Sequence, residues 1–349
     1  MQVLSAAQAV SPAIERTRRL LFQPFRWGTF LKLCAVAVFT EGFGGNFNFS
    51  QPRGSSSHSG TVSAPFTLSP LWIAIIAGVV VLSLLIGFLV LYLITRLRFA
   101  LFHCLVYQSK EIRPGWRLYR EPANRFFLLN LAVGLIFLCC VVAAAAPFVV
   151  GIIRVVQASR AGAQLNLALL LSLALPLVAV ALVVALAAVV IDIVLRDLML
   201  PHYALEDATA REAWVAVRAH VTAEKGSFVL YAVLRVLLPI VAMMGLVMLA
   251  AIPLLIVFGI LALCFAGLHP VFADATAGMA SLRLALEILF GAIAAVIGLL
   301  AAISFGGPLC LWVRNFALLF YGGRYPILGN VLVPPPPPPL FATDEPQNP

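Results

Sequence analysis

Residues 71–95 read LWIAIIAGVVVLSLLIGFLVLYLIT, a run without one charged side chain. A helix needs about 20 such residues to cross the hydrocarbon layer of a bilayer. Strands and buried soluble helices use shorter runs. Further runs of this kind follow, so the chain needs lipid rather than water around much of its length. Of its residues, 62% are hydrophobic and 11% charged, against roughly 25% charged in a soluble domain.

The spans are expected at about 29–43, 70–95, 126–153, 165–195, within 227–268, and at 284–305. The run 227–268 is too long for one straight span and barely enough for two. Pro239 and Pro253 can kink or break it. One span with a re-entrant piece gives six crossings and an inside C-terminus; two spans give seven and an outside one. Six places most Lys and Arg in the inside loops, as the positive-inside rule requires, and is the preferred threading. The fold class is therefore an all-α integral membrane protein of about six transmembrane helices in three hairpins, each preceded by an interfacial amphipathic helix.

The net charge of +9 does not indicate nucleic acid, because the basic residues lie beside apolar runs. The first strong apolar run begins only near Phe30, after Arg16, Arg18, Arg19 and Arg26, which argues against a cleavable signal and for a cytoplasmic N-terminus. Arginine outnumbers lysine and alanine is abundant, as in GC-rich bacterial genomes; the expected location is a bacterial inner membrane.

Between spans, PAIERTRRLLF (12–22) has helical periodicity. Ser11 is placed to cap it, and Pro12 suits the first helical position. Ile14, Thr17 and Leu21 share one face and Arg16 and Arg19 the other, as in a helix lying on a membrane. The segment 42–65 is a Gly/Ser-rich loop expected outside. The tail, 326–349 with its proline run, reads as polyproline II followed by disorder and offers a possible site for a protein partner.

A shift of 98 residues lays Arg98 on Arg196, Trp116 on Trp214 and Arg120 on Arg218. RNFALLF near the end echoes RLRFALF. The polytopic domain, 1–325, thus divides into repeat-like units 8–104, 105–204 and 205–325. Trp116, Arg120, Trp214 and Arg218 are candidate interfacial anchors: tryptophan favours the headgroup level, and arginine snorkels toward anionic headgroups at the cytoplasmic face. Thr209 and Glu212 form the T-x-x-E of a capping box, with Ala210, Trp214, Val217 and Val221 on one face of the helix that follows.

Ionisable residues at bilayer depth are functional candidates. Asp192 and Arg235, both near the inner side, form a candidate intramembrane polar pair. Glu41 and Glu287 are expected near the outer surface. His202, Glu206 and Asp207 are the only acid–histidine cluster, on a segment better explained as an anchor. The six cysteines (Cys34, Cys104, Cys139, Cys140, Cys264 and Cys310) lack metal-ligand spacing. There is no P-loop, GxSxG elbow or dinucleotide fingerprint. The reading is no catalytic, cofactor or metal site and no cofactor: a non-enzymatic scaffold that organises lipid or partners. A transporter or channel using Asp192 and Arg235 is the alternative, and a lipid-processing enzyme built on His202 the third.

The stretches SPAIERTRRLLFQPFRWGTFLKL and LRDLMLPHYALEDATAREAW resemble those of uncharacterised bacterial multi-pass membrane proteins, a group similar to the membrane domain fused to some glycerophosphodiester phosphodiesterases. The resemblance implies a multi-pass fold. It carries no activity, because the catalytic barrel and its histidine motif are absent here.

Overall fold

The computed structural model describes residues 3–42, 70–160, 167–271 and 277–333. The Gly/Ser-rich loop expected outside and the proline run lie beyond these described residues. No strand occurs among them. Eleven helices follow in order: α1 Val10–Phe22, α2 Trp27–Gly42, α3 Pro70–Val106, α4 Arg113–Leu118, α5 Arg120–Arg160, α6 Leu167–Ile193, then a π-helical segment Val194–Met199 leading into α7 Leu200–Leu205, α8 Ala210–Ala223, α9 Lys225–Val271, α10 Ala277–Gly322 and α11 Pro326–Leu332.

Among the described residues, five stretches are long and apolar enough to cross a membrane: Ala74–Val106, Arg120–Ile153, Ala174–Leu205, Lys225–Gly267 and Leu284–Gly322. Their helices exceed what crossing requires. The 37 residues of α3 extend about 55 Å at 1.5 Å per residue, against about 30 Å of hydrocarbon. The surplus has a purpose. Along α3 the first two-thirds are exposed leucine, isoleucine and valine, and from Ile94 onward nearly everything is buried. The other long helices divide likewise, into an exposed apolar arm and a packed end. Water could not solvate arms whose Leu255, Leu263 and Met248 are more than 70% exposed; lipid tails can.

The packed ends of α3, α5, α9 and α10, with α1, α2, α7, α8 and α11, form one core. Phe126, Phe99, Tyr203, Leu311, Phe316 and Phe320 lie at its centre. The run 227–268 is neither a hairpin nor a broken span: α9 passes through Pro239 and Pro253 as one helix of 47 residues. Neighbouring helices and local adjustment can absorb the hydrogen bonds a proline forfeits inside a membrane helix.

The amphipathic N-terminal helix begins at Val10, earlier than expected, and Ser11 does not cap it. Instead Ser5 and Gln8 bond reciprocally: Ser5 N–H to Gln8 Oε1 at 3.0 Å and Gln8 N–H to Ser5 Oγ at 3.3 Å. S-x-x-Q is the capping-box pattern; here it closes the turn that leads into α1, six residues before Ser11. The helix is also not simply laid on a surface. Ala13, Thr17, Leu20 and Leu21 are buried, and the helix packs on α10, where Asn315 Nδ2 donates to Thr17 Oγ1 at 2.8 Å.

Arg16 on its other face donates to the carbonyls of Leu105 and Val106, at the end of α3, and of Leu332, at the end of α11. Those carbonyls have no partner within their own helices, so a single guanidinium closes two helix ends. This makes α11 part of the core, with Leu328 and Leu332 buried. Residues 326–332 therefore belong to the folded domain rather than to a disordered tail. The expected capping box at the start of α8 is present, with Thr209 and Glu212 bonded in both directions.

The tightest helix contact is α2 against α10, made where α10 has no side chains. A β-carbon on Gly307 would lie 2.6 Å from Cys34 Cα and overlap its Cβ. Small residues let helix backbones approach closely in membranes. Gly307→Ala is expected to lower stability by about 1–3 kcal/mol, the range for overpacking, and Gly307→Val by more. Thermal unfolding in detergent checks this. Thr209→Ala should cost about 1 kcal/mol through loss of the cap, and equal melting temperatures would refute the capping role.

Candidate functional site

The buried charges sit together; Arg98, Arg196, Asp197, Arg235 and Arg314 lie about 12–15 Å from the packed tips of their helices by residue count. Asp197 is central. Its side chain is fully buried, yet both oxygens are satisfied: Arg314 Nη1 donates to Oδ1 at 2.8 Å, and Tyr231 OH (2.7 Å) and Arg235 Nε (2.9 Å) donate to Oδ2. Glu41, at the end of α2, accepts from Arg314 Nε at 2.5 Å and lies 3.7 Å from both Arg196 and Arg235. Asp192 pairs with Arg196 one turn along, at 2.6 Å. Arg98 of α3 reaches the Thr40 carbonyl with Nε and Nη2, both at 3.3 Å. Arg98, Arg196 and Arg314 line one small cavity with Asp197, leaving about 20 Å³ open to the centre of a water molecule.

The π-helical segment makes this geometry possible, and Pro201 explains the segment. In an α-helix the N–H of residue 201 would bond to the Asp197 carbonyl; proline has no N–H, and its ring clashes with that carbonyl. The chain widens instead, and the Leu200 N–H reaches back five residues to Leu195. The Arg196 carbonyl then loses both helical partners: Leu200 has shifted to Leu195, and the five-residue partner is Pro201. Arg314 Nη1 fills the vacancy at 3.1 Å. The same guanidinium thus holds the backbone of one residue and the carboxylate of the next. Such π turns recur at functional sites.

The proposed partners Asp192 and Arg235 both belong to this network but reach it separately, Asp192 through Arg196 and Arg235 through Asp197 and Glu41. The sequence did not single out Asp197, and Glu41 was expected near the outer surface. Glu41 is instead at the level of Arg235. The reason is length: the 16 residues of α2 extend only about 24 Å. An acid ending a short apolar helix, in a chain with few acids, was the available signal.

The anchor candidates divide. The Arg96 guanidinium stacks 4.4 Å from the Trp116 ring and donates to the Trp116 carbonyl, so Trp116 is half-buried against α3. Arg120, Trp214 and Arg218 are exposed at the same packed end, while Ala213 and Val217 form the buried side of α8. His202 is buried, 2.7 Å from Tyr321 OH and 3.0 Å from Glu206. Asp207 turns away to pair with Arg125. No three potential metal ligands gather among the described residues.

Outside the spans, Arg324 ties the termini. It donates to Glu224, to the Leu4 carbonyl and to the Phe320 carbonyl, stacking 4.1 Å from the Phe320 ring. The hydrogen bond from Arg324 holds the Glu224 carboxyl below its ordinary value.

Exposed apolar arms around a buried arginine–carboxylate core define a helical membrane protein. The chain belongs to the family of unknown function DUF7544, whose model matches residues 4–331, from the strand-free turn held by Arg324 through most of α11. No curated protein and no solved structure matches it.

Removing one partner of a buried ion pair costs about 3–5 kcal/mol. Asp197→Asn should therefore be severely destabilising. Asp192→Asn should cost far less, because a third of that side chain is exposed and its partner Arg196 keeps Glu41 at 3.7 Å. Melting temperatures of the two variants in detergent check the order. The Glu224–Arg324 contribution follows the sign for a depressed carboxylate. It is present above the ordinary range near 4.3 and lost as pH falls through the lower folded value. Glu224→Gln should flatten the stability-versus-pH curve there, and an unchanged acid limb would contradict it.

Proposed function

We propose that this protein is a multi-pass scaffold of the bacterial inner membrane, with six spans in three hairpins and both termini cytoplasmic. Its packed basic end faces the cytoplasm, where exposed Arg120, Trp214 and Arg218 meet anionic headgroups and the proline-rich tail offers a partner site. The observation that carries this reading is the closure of the ion network. Each of its carboxylates is matched to cationic donors, and the cavity among them admits a guest no larger than about one water. A solute path would need more room and more unpaired polar lining.

The positions of the basic residues support the orientation. A transporter or channel is the second reading. It is favoured by Asp192, the one acid of the network with a third of its side chain open, at the junction between core and apolar arm.

Sidedness is tested with single cysteines at Asn46 and Ala342 in a chain lacking its native cysteines. An impermeant thiol reagent should label the first only from outside and the second only from inside; labelling of both from one side refutes six spans. Solute or proton flux in proteoliposomes, abolished by Asp192→Asn at normal expression, would replace the scaffold by the transporter. Lipid turnover lost in His202→Ala would replace it by an enzyme.

A further inference from the structure

The ion network does not balance. Arg98, Arg196, Arg235 and Arg314 face Glu41, Asp192 and Asp197. Arginine cannot shed its proton in a protein, so one positive charge is left over. The geometry says where. Arg196, Arg235 and Arg314 each have a carboxylate within reach. Arg98 is in no ion pair among the described residues and has only the Thr40 carbonyl, shared by two of its nitrogens at 3.3 Å, though it is 8% exposed. An unmatched charge in apolar surroundings is costly; Glu41 and Asp192 are near enough to attract it, but both are already engaged by other arginines, and Arg196 and Arg314 repel it.

The cavity opens beside this excess. Three of its lining residues are Arg98, Arg196 and Arg314, and the remaining walls include Leu101, Leu105 and Leu318. The only acid in the lining, Asp197, has both oxygens engaged by Tyr231, Arg235 and Arg314. Three guanidinium groups against one occupied carboxylate make a local field that attracts an anion and rejects a cation. The enclosed space suits one small ion, or a single phosphate oxygen of a phosphodiester whose bulk stays at the open side.

We propose that this cavity binds one monovalent anion, held by Arg98 together with Arg196 and Arg314, as a structural counter-ion that completes the core. A free halide and the phosphodiester of an anionic lipid share the required chemistry. The proposal goes beyond the scaffold reading and holds under the transporter reading as well.

The test measures melting temperature of the purified full chain in nonionic detergent, titrating bromide against gluconate at constant ionic strength. A saturable rise of about 2–5 °C is expected, since a ligand stabilises the fold it binds. A parallel titration with phosphatidylglycerol against phosphatidylcholine identifies a lipid source, marked by a rise that excess bromide does not add to. Arg98→Gln should abolish either response while melting no lower than the anion-free wild type, because the unmatched charge is gone. A merely structural arginine would instead lower the melting temperature at every anion concentration. Arg98→Lys should keep a weakened response. Should Arg98→Gln not fold, equilibrium dialysis of the wild type with radiolabelled chloride, before and after phosphatidylglycerol is added, decides. About one ion per chain, or one displaced by the lipid, is expected. Melting and dialysis that respond to neither anion overturn the proposal, as does an undiminished response in Arg98→Gln.

Discussion

One buried carboxylate, Asp197, holds the packed end of this molecule together. Its oxygens take donors from α9 and α10, and its neighbour Arg196 reaches Asp192 and Glu41. Ionised groups leave water only when nearly every lone pair finds a donor. That condition fixes the mutual positions of α2, α9, α10 and the π-helical segment more narrowly than apolar packing does, because leucine tolerates small shifts and a bidentate guanidinium does not. Tyr231 shows the coupling of the two kinds of order. Its hydroxyl bonds Asp197 while its ring stacks 4.3 Å from Phe320.

The long helices work in two solvents. Their arms carry apolar side chains outward in every direction, where lipid asks only for satisfied backbone hydrogen bonds. Their packed ends have an inside and an outside, like a soluble helical domain, with arginines closing helix ends. Arg16 and Arg324 each bind several carbonyls, and each links the N-terminal region to the last helices. The domain is thereby fastened at both ends of the chain, and the family match covers that whole extent.

Much of this was legible in the residues. The long apolar runs marked all five long apolar helices, the T-x-x-E pattern marked the start of α8, and Asp192 and Arg235 stood out as charges in oil. The shift that laid Arg98 on Arg196 picked out two residues that line one cavity. Ser11 was the wrong cap because the chain is already turned by the reciprocal Ser5–Gln8 pair six residues earlier. Pro239 and Pro253 suggested breaks, but a proline alone does not say whether neighbours will absorb its missing hydrogen bond. Pro201 was the proline that mattered. Its effect needs a second helix, carrying Arg314, to claim the freed Arg196 carbonyl.

The sequence by itself determined the solvent of the arms, the helical class and the segregation of basic residues, because hydropathy and charge act locally along a chain. Tertiary structure alone decided which acid meets which arginine. Ion pairing depends on depth and rotation of whole helices, and both were set by contacts far apart in the chain: Gly307 against Cys34, Asn315 against Thr17, and Glu41 against Arg314.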